Sequence, residues 1–410
     1  MKEKSLKTNF VWNSLGSFTY LFCQWLLTFF IIRLSNNLED AGNLSLAMSI
    51  TNVFFTVACF SMRPYLVSDN LNEYKVQDYS SFRFVTMIIA FVGCFIYCLL
   101  FDYSINQLLC IMIFMIYKIG EALVDLFHAF EQRKGRMDIG GISLFLRGII
   151  TIIFFILGMK IFNNMLVSLL LIAFFTIIFI FTYDFHNIKK FEVIKFTIKN
   201  KNNKSLFIKF LPLAIGAFLG TLSSSIPRQM LEKTYGADVL GIYATIAIPA
   251  VIVQVAVSYI YNPLLVTFSN YRKDKDYSNF RKLFSQTITI IFGISIVCCL
   301  GSLFFAKPVL SILYGNRIAS HYKLFFSIII YTSLTGFLWF FHNILVIFRK
   351  IKEISVINFT GFIICIMISS FFIKKFSMNG VNFTLILFTI IMIIEMLVII
   401  IKCIKKLKKI

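Results

Sequence analysis

Charge is scarce in this chain of 410 residues: 14% are charged, against roughly a quarter in an ordinary soluble domain. Acidic side chains are scarcer still, with 19 Asp and Glu set against 40 Lys and Arg. Long polar stretches are missing as well. The longest, residues 184–206 (DFHNIKKFEVIKFTIKNKNNKSL), leaves no room for a soluble catalytic domain. The nine cysteines are scattered through apolar segments, with no CxxC pair and no Cys/His cluster at metal spacing. That pattern argues against a disulfide framework or a structural metal, and the thiols read as small apolar packing groups. What is present is apolar: 59% of residues are hydrophobic and the mean hydropathy is +0.83. Runs near twenty residues recur along the whole chain, about the length a helix needs to cross a bilayer core. The composition therefore predicts an all-α, polytopic membrane protein.

Hydropathy predicts twelve spans: 10–32, 41–66, 82–101, 107–130, 139–161 and 165–183, then 207–231, 239–268, 283–305, 322–348, 354–373 and 381–401. The start, MKEKSLKTNFVWNSLGS, is basic and then apolar like a signal peptide. Its apolar run is too long for one and lacks a small-residue cleavage site, so it reads as a retained first span. Charge orients the set. With the N-terminus inside the cell, the outer loops hold only Arg33, Lys160, Lys233, Lys307, Arg317, Lys323, Lys374 and Lys375. Most of the other basic residues, including the tail KCIKKLKKI, fall inside, which predicts both termini in the cytoplasm. The net charge of +21 is then a set of inner loops facing anionic lipid. Nucleic acid is a poor partner for it, because no aromatic–basic soluble module is present.

The halves echo each other. LEDAGNLSLA after the first span resembles YGADVLGIYA after the seventh, pairing Gly42 with Gly241. SMRPYL and IYNPLL pair Pro64 with Pro263 at the same offset, and the basic turns EQRKGR and IFRKIK each follow a fourth span. The expected organisation is a six-helix lobe (1–183), a basic cytoplasmic linker (184–206) and a second six-helix lobe with a basic tail (207–410). Parallel repeats around a cavity are a transporter architecture.

The fourth span is unusual. In YKIGEALVDLFHAFEQRKGR, Lys118, Glu121, Asp125, His128 and Gln132 are spaced 3, 4, 3 and 4, so all five share one helical stripe. A charge facing lipid costs a few kcal/mol, so the stripe must face protein or a wet cavity. One account is internal neutralisation, Lys118 by Glu121 and Asp125 by His128. Intramembrane ionisable groups also line pathways. Arg147, two turns into the fifth span, reads as a cavity residue. Arg63 and Arg228 lie near span ends, where snorkelling is an equal account, and Pro227 is expected to open the helix beside Arg228. Together the arginines point to an anion-accepting path, since guanidinium meets phosphate bidentately. Glu121 and Asp125 are the candidates for a coupling cation or proton, and Glu395 is a weaker one. In the second half Trp339, His342 and Asn343 fall together at helical spacing, a set that packing explains. Gln254, Ser258 and Tyr261 suit sugar hydroxyls or interhelical hydrogen bonds equally.

The strings MRPYLVSD, EALVDLFHAFEQRKGRMDIGGISLFLRG, IPRQMLEKTYGADVLGIYA and KPVLSILYG resemble bacterial polysaccharide-repeat flippases of the multidrug/oligosaccharidyl-lipid/polysaccharide exporter superfamily. The resemblance covers nearly the whole chain and is strongest over 121–147. It implies twelve helices in two six-helix lobes around a central cavity. It also implies movement of an undecaprenyl-pyrophosphate-linked oligosaccharide from the inner to the outer leaflet of the bacterial cytoplasmic membrane, for capsule or O-antigen synthesis. The family's cationic cavity falls here on Arg63, Lys118, Arg147 and Arg228, with His128 and Gln132 beside them. Implied partners are the lipid-linked oligosaccharide, membrane lipids and a polysaccharide polymerase. No cofactor is expected beyond a coupling proton or sodium ion.

Three rivals stand beside this. A cation-coupled multidrug antiporter of the same superfamily needs an acidic cavity. A murein-precursor flippase shares the chemistry. A membrane polymerase or glycosyltransferase needs a metal-binding motif such as the DKD at Asp274 and Asp276, which in YRKDKDYSNF reads as a solvated turn. The expectation is a transporter and not an enzyme.

Overall fold

The computed structural model of the chain describes residues 6–35, 37–68, 73–198, 200–262 and 264–408, and every regular element among them is a helix. Among the described residues, eleven helices are long and apolar enough to cross a membrane. Large apolar side chains such as Phe10, Phe18, Leu100, Phe304 and Met367 stand exposed, as expected where the surrounding solvent is lipid rather than water. The protein is a multi-pass membrane protein. Its chain divides into two compact units, Met1–Thr221 and Leu222–Ile410.

The first unit holds α1 (Leu6–Leu34), α2 (Leu38–Cys59), α3 (Arg63–Ser68), α4 (Val76–Leu100), α5 (Ile105–Arg133), α6 (Met137–Phe162) and α7 (Met165–Phe179). A π-helical turn (Ile180–Asp184), α8 (Phe185–Ile188) and the first part of α9 (Asn203–Tyr235) complete it. Helix α5 is its hub and packs on α2, α3, α4, α6 and α7. It starts with a reciprocal cap, Ser104 and Gln107 each satisfying the other's backbone amide. Helix α1 lies along α6. A Cβ on Gly16 would strike the backbone of Gly141, and one on Gly141 would strike Trp12. Only glycine permits that approach of two backbones.

The second span is broken. After α2 the backbone turns through left-handed Phe60 and Ser61 (φ 49° and 50°) before α3 begins at Arg63. The turn sends the Met62 amide to the Cys59 carbonyl, and the Ala58 carbonyl left without it is taken by Arg83 and Thr86. A dry core of Phe60, Met62, Phe82, Phe127, Phe130 and Phe210 packs this break against α4, α5 and α9. Segment 184–206, expected as a linker, also lies on this unit: Ser80 and Ser81 donate to the Lys195 carbonyl and Asn200 donates to Asp78.

In the second unit the eighth expected span, 239–268, is not one helix. It is present as α10 (Ala237–Ala247), α11 (Val251–Tyr261) and α12 (Leu264–Lys273). Pro249 removes a donor and clashes with the preceding turn, which ends α10. Pro263, paired with Pro64 in the repeat, lies outside the described residues. By contrast, α9 runs unbroken through Pro227, against the expected opening. The carbonyl that proline orphans, that of Ser223, accepts from the Cys365 thiol instead. Beyond these come α13 (Tyr277–Tyr314), α14 (Asn316–Ala319), α15 (Lys323–Ile347), α16 (Ile351–Phe376) and α17 (Met378–Lys408). Helix α15 is the innermost, with 61% of its apolar window buried, against 17% for α13.

Candidate functional site

The stripe on α5 borders a cavity of about 290 Å³ in the first unit. Glu121, Asp125, His128 and Gln132 line it from α5, Arg63 from α3, and Gly140 and Arg147 from α6. Asn13 and Ser17 of α1 and Phe55 of α2 close it.

The neutralising partners come from other helices and not from within the stripe. This corrects the expected pairing of Lys118 with Glu121 and of Asp125 with His128. Asp125 sits between two guanidiniums, accepting from Arg63 at 2.8 Å and from Arg83 at 3.0 Å. Arg63 also donates to Gln132 at 3.1 Å. The two arginines differ in access: the Arg63 side chain is 39% exposed and that of Arg83 only 1%. Arg83 is therefore a fixed counter-charge, while Arg63 is reachable. The break before Pro64 aims Arg63 at Asp125, so it lines the cavity rather than snorkelling to an interface.

One turn earlier along α5, Glu121 pairs with the buried Arg147 and accepts from Tyr20 at 2.7 Å. Arg147 also donates to Ser143 and lies over the Tyr20 ring. Tyr20 and Gln24 both reach the Tyr117 hydroxyl. The glycine contact of α1 with α6 brings these α1 side chains to Arg147. Lys118 makes no ion pair or hydrogen bond among the described residues. Its ammonium rests over Phe55 at 5.4 Å and Phe114 at 5.7 Å, next to the cavity wall at Phe55.

His128 is buried. Its Nε2 faces Asp184 of the π-helical turn at 3.7 Å, not Asp125. Just outside the spans, Arg136 clamps Asp138 with two hydrogen bonds, and the paired carboxylate pushes its guanidinium pKa further up. Asn9 of α1 ties this turn down through Gly135 and the Asp138 amide.

Arg228 lies in the second unit, with its guanidinium beside Tyr243 and Tyr331. Trp339 is 45% exposed and Asn343 turns back to its own helix at the Trp339 carbonyl, so those two do not form a site with His342. Gln254 donates to Thr335, and Glu395 accepts from Thr360 at 2.7 Å. Asp274 and Asp276 stand in a turn where Asp276 caps α13, and the Asn279 amide it accepts from draws its pKa down.

Sequence reasoning missed Arg83, Tyr20, Glu131 and Asp184. Arg83 and Asp184 lie near predicted span ends, where a charge reads as interfacial. Glu131 had a readable signal: it stands three residues after His128 on the same stripe.

No protein-family profile matches the chain. Over 314 residues it is 28% identical to the capsular polysaccharide biosynthesis protein CapF of Staphylococcus aureus, covering 73% of this chain and 77% of that one. Its fold is similar to that of a multidrug resistance MATE family transporter of the MOP superfamily in an inward-facing conformation. That match has a TM-score of 0.71 at 11% identity, over 94% of this chain and 95% of the other. The lipid II flippase MurJ, inward closed, matches with a TM-score of 0.71 at 16% identity, over 96% and 89% of the two chains. A MOP superfamily transporter from Pyrococcus furiosus, described as having a binding pocket of reverse polarity, matches at 0.61 and 12%, over 97% and 95%. The all-helical, MATE-like fold read from the sequence is borne out.

Proposed function

We propose that the protein is a flippase, and not an enzyme, that carries a diphosphate-linked oligosaccharide on a polyprenyl lipid from the cytoplasmic to the outer leaflet by alternating access. The supporting observation is the first unit's cavity, in which Arg63 and Arg147 converge, with Arg83 behind them and the unpaired Lys118 alongside. A diphosphate and several sugars cannot cross hydrocarbon unaided, whereas the polyprenyl tail can stay in lipid. Guanidinium forks suit the diphosphate, with the Gln132 amide beside them and His128 on the same cavity wall. Arg228, between tyrosines, is the second unit's candidate for the same chemistry. The likeness to a capsular polysaccharide biosynthesis protein supports a surface-polysaccharide role in the bacterial cytoplasmic membrane, with both termini inside, two six-helix lobes and a polymerase as downstream partner.

Glu121 and Asp125 serve as exchangeable counter-charges in this scheme. When diphosphate takes Arg63 and Arg147, each carboxylate loses a partner and gains a reason to bind a proton or sodium ion. When the headgroup leaves, the ion pairs re-form. That exchange supplies coupling without a bound cofactor.

The test uses liposomes containing the purified protein and a fluorescent undecaprenyl-pyrophosphate oligosaccharide, read by access to an external glycosidase. Protein-dependent access, lost with Arg147→Ala, is the expected result. The two carboxylates in the cavity and the MATE-like fold favour cation-coupled multidrug antiport as the second reading. No access to the lipid, with uptake of an organic cation instead, would establish that reading in place of ours.

A further inference from the structure

Glu131 and Asp184 are both fully buried, and no oxygen of either carboxylate has a hydrogen-bond partner. They stand apart from the paired acids of the cavity. Glu131 closes the last turn of α5, and its Oε2 and the His128 ring both press against Gly140 of α6. Asp184 comes from the π-helical turn that follows α7. The wide turn of residues 180–184 keeps Thr176, Ile180, Asp184 and Ile188 on one buried face, where a regular α-helix would rotate a four-residue repeat away. His128, itself buried, shares the Gly140 contact with Glu131 and directs its unpartnered Nε2 at Asp184, 3.7 Å away. His128 also lines the headgroup cavity.

We propose that Glu131, Asp184 and His128 form a proton-binding site, loaded from the cavity through His128 and separate from the arginine-paired carboxylates. Two ionised carboxylates this deep, with no donor for any of their oxygens, would cost far more than the single proton that relieves them. The surrounding charges do not supply that relief. Arg136 is engaged by Asp138, Arg147 by Glu121, and Arg63 by Asp125, while the nearby Tyr183 and Asp138 add no cation. Among the described residues no group of three His, Cys or acidic side chains is arranged to hold a metal ion, so a proton is the ligand the geometry suits. The proton comes from water in the cavity, passes over the imidazole, and rests on a carboxylate oxygen. No bond other than those to hydrogen changes. As the coupling site for transport, this rests on the flippase reading; as a proton site, it does not.

The first measurement is infrared spectroscopy of the purified full-length protein, reading the carboxylic-acid C=O stretch by its shift in D2O. The wild type is expected to show an exchanging acid band that Glu131→Gln weakens and Glu131→Gln/Asp184→Asn removes. Thermal unfolding of the Gln and Asn variants is expected at or above the wild-type temperature, because an amide imitates a protonated acid. An unchanged band in the double variant, or amide variants that unfold markedly earlier, would overturn the site. In liposomes, lipid flipping by the wild type should respond to a pH gradient, and Glu131→Gln should flip with a weaker response, the remainder being carried by Glu121 and Asp125. A gradient response as large as the wild type's in that variant removes the coupling role. A wild type that flips nothing removes the flippase reading and leaves the infrared result to judge the proton site.

Discussion

The fourth span of the first unit and the innermost span of the second solve one problem in two ways. Both α5 and α15 lie deep among other helices, and both carry polar side chains. On α5 these are charges, balanced by arginines from three other helices: Arg63, Arg83 and Arg147. On α15 they are neutral. Thr335 accepts from Gln254, Ser327 accepts from Asn382, and Asn382 in turn accepts from Tyr243. Neutral hydrogen bonds of this kind hold membrane helices together at about 0.6 kcal/mol each. Packing alone therefore never required the charges on α5. They carry a desolvation cost that stability does not repay, which is why the proposed headgroup site centres on the first unit.

That contrast can be broken in graded steps. The largest effect is expected from Arg147→Ala, which strands Glu121. Losing one partner of a buried pair costs about 3–5 kcal/mol, seen as early unfolding in detergent, and headgroup flipping should fall to background. Arg147→Lys should restore folding more than flipping, because a single ammonium cannot replace the fork. Arg83→Leu should be nearly as damaging to stability, and Arg83→Leu/Asp125→Leu milder than Arg83→Leu alone, since the double change removes the stranded charge. A double-mutant cycle on unfolding free energy checks that order. Gly141→Ala should cost about 1–3 kcal/mol by overpacking the α1–α6 contact. It should reduce flipping along with stability, because Tyr20 loses its seat beside Glu121. Lys118→Met separates the two properties: with no ion pair to break, unfolding should move by less than about 0.5 kcal/mol, while affinity for a soluble diphosphate headgroup falls. The smallest effect belongs to the second unit. Tyr243→Phe should cost about 0.6 kcal/mol and leave flipping unchanged. A large transport defect there would erase the contrast.

Much of the site was legible as a pattern. The stripe from Lys118 to Gln132 and the placement of Arg147 follow from helical spacing and from the cost of a lipid-facing charge. The pairing was not legible. Asp125 draws its arginines from residues 63 and 83, because the chain breaks at Phe60 and Ser61 and frees a carbonyl for Arg83. Spacing on one helix cannot report a partner delivered by another. The same limit applies to prolines. Pro64 and Pro227 look alike in sequence, yet the helix ends before one and continues through the other, where the Cys365 thiol satisfies the orphaned carbonyl.

By itself the sequence determined that the chain crosses a membrane many times, and that one helix bears a row of ionisable groups it cannot show to lipid. Both follow from local composition and the period of the helix. Only the tertiary structure decided which acid meets which base, which arginine stays reachable, and which carboxylates are left without any donor. Those outcomes depend on distances of a few ångströms between segments far apart in the chain.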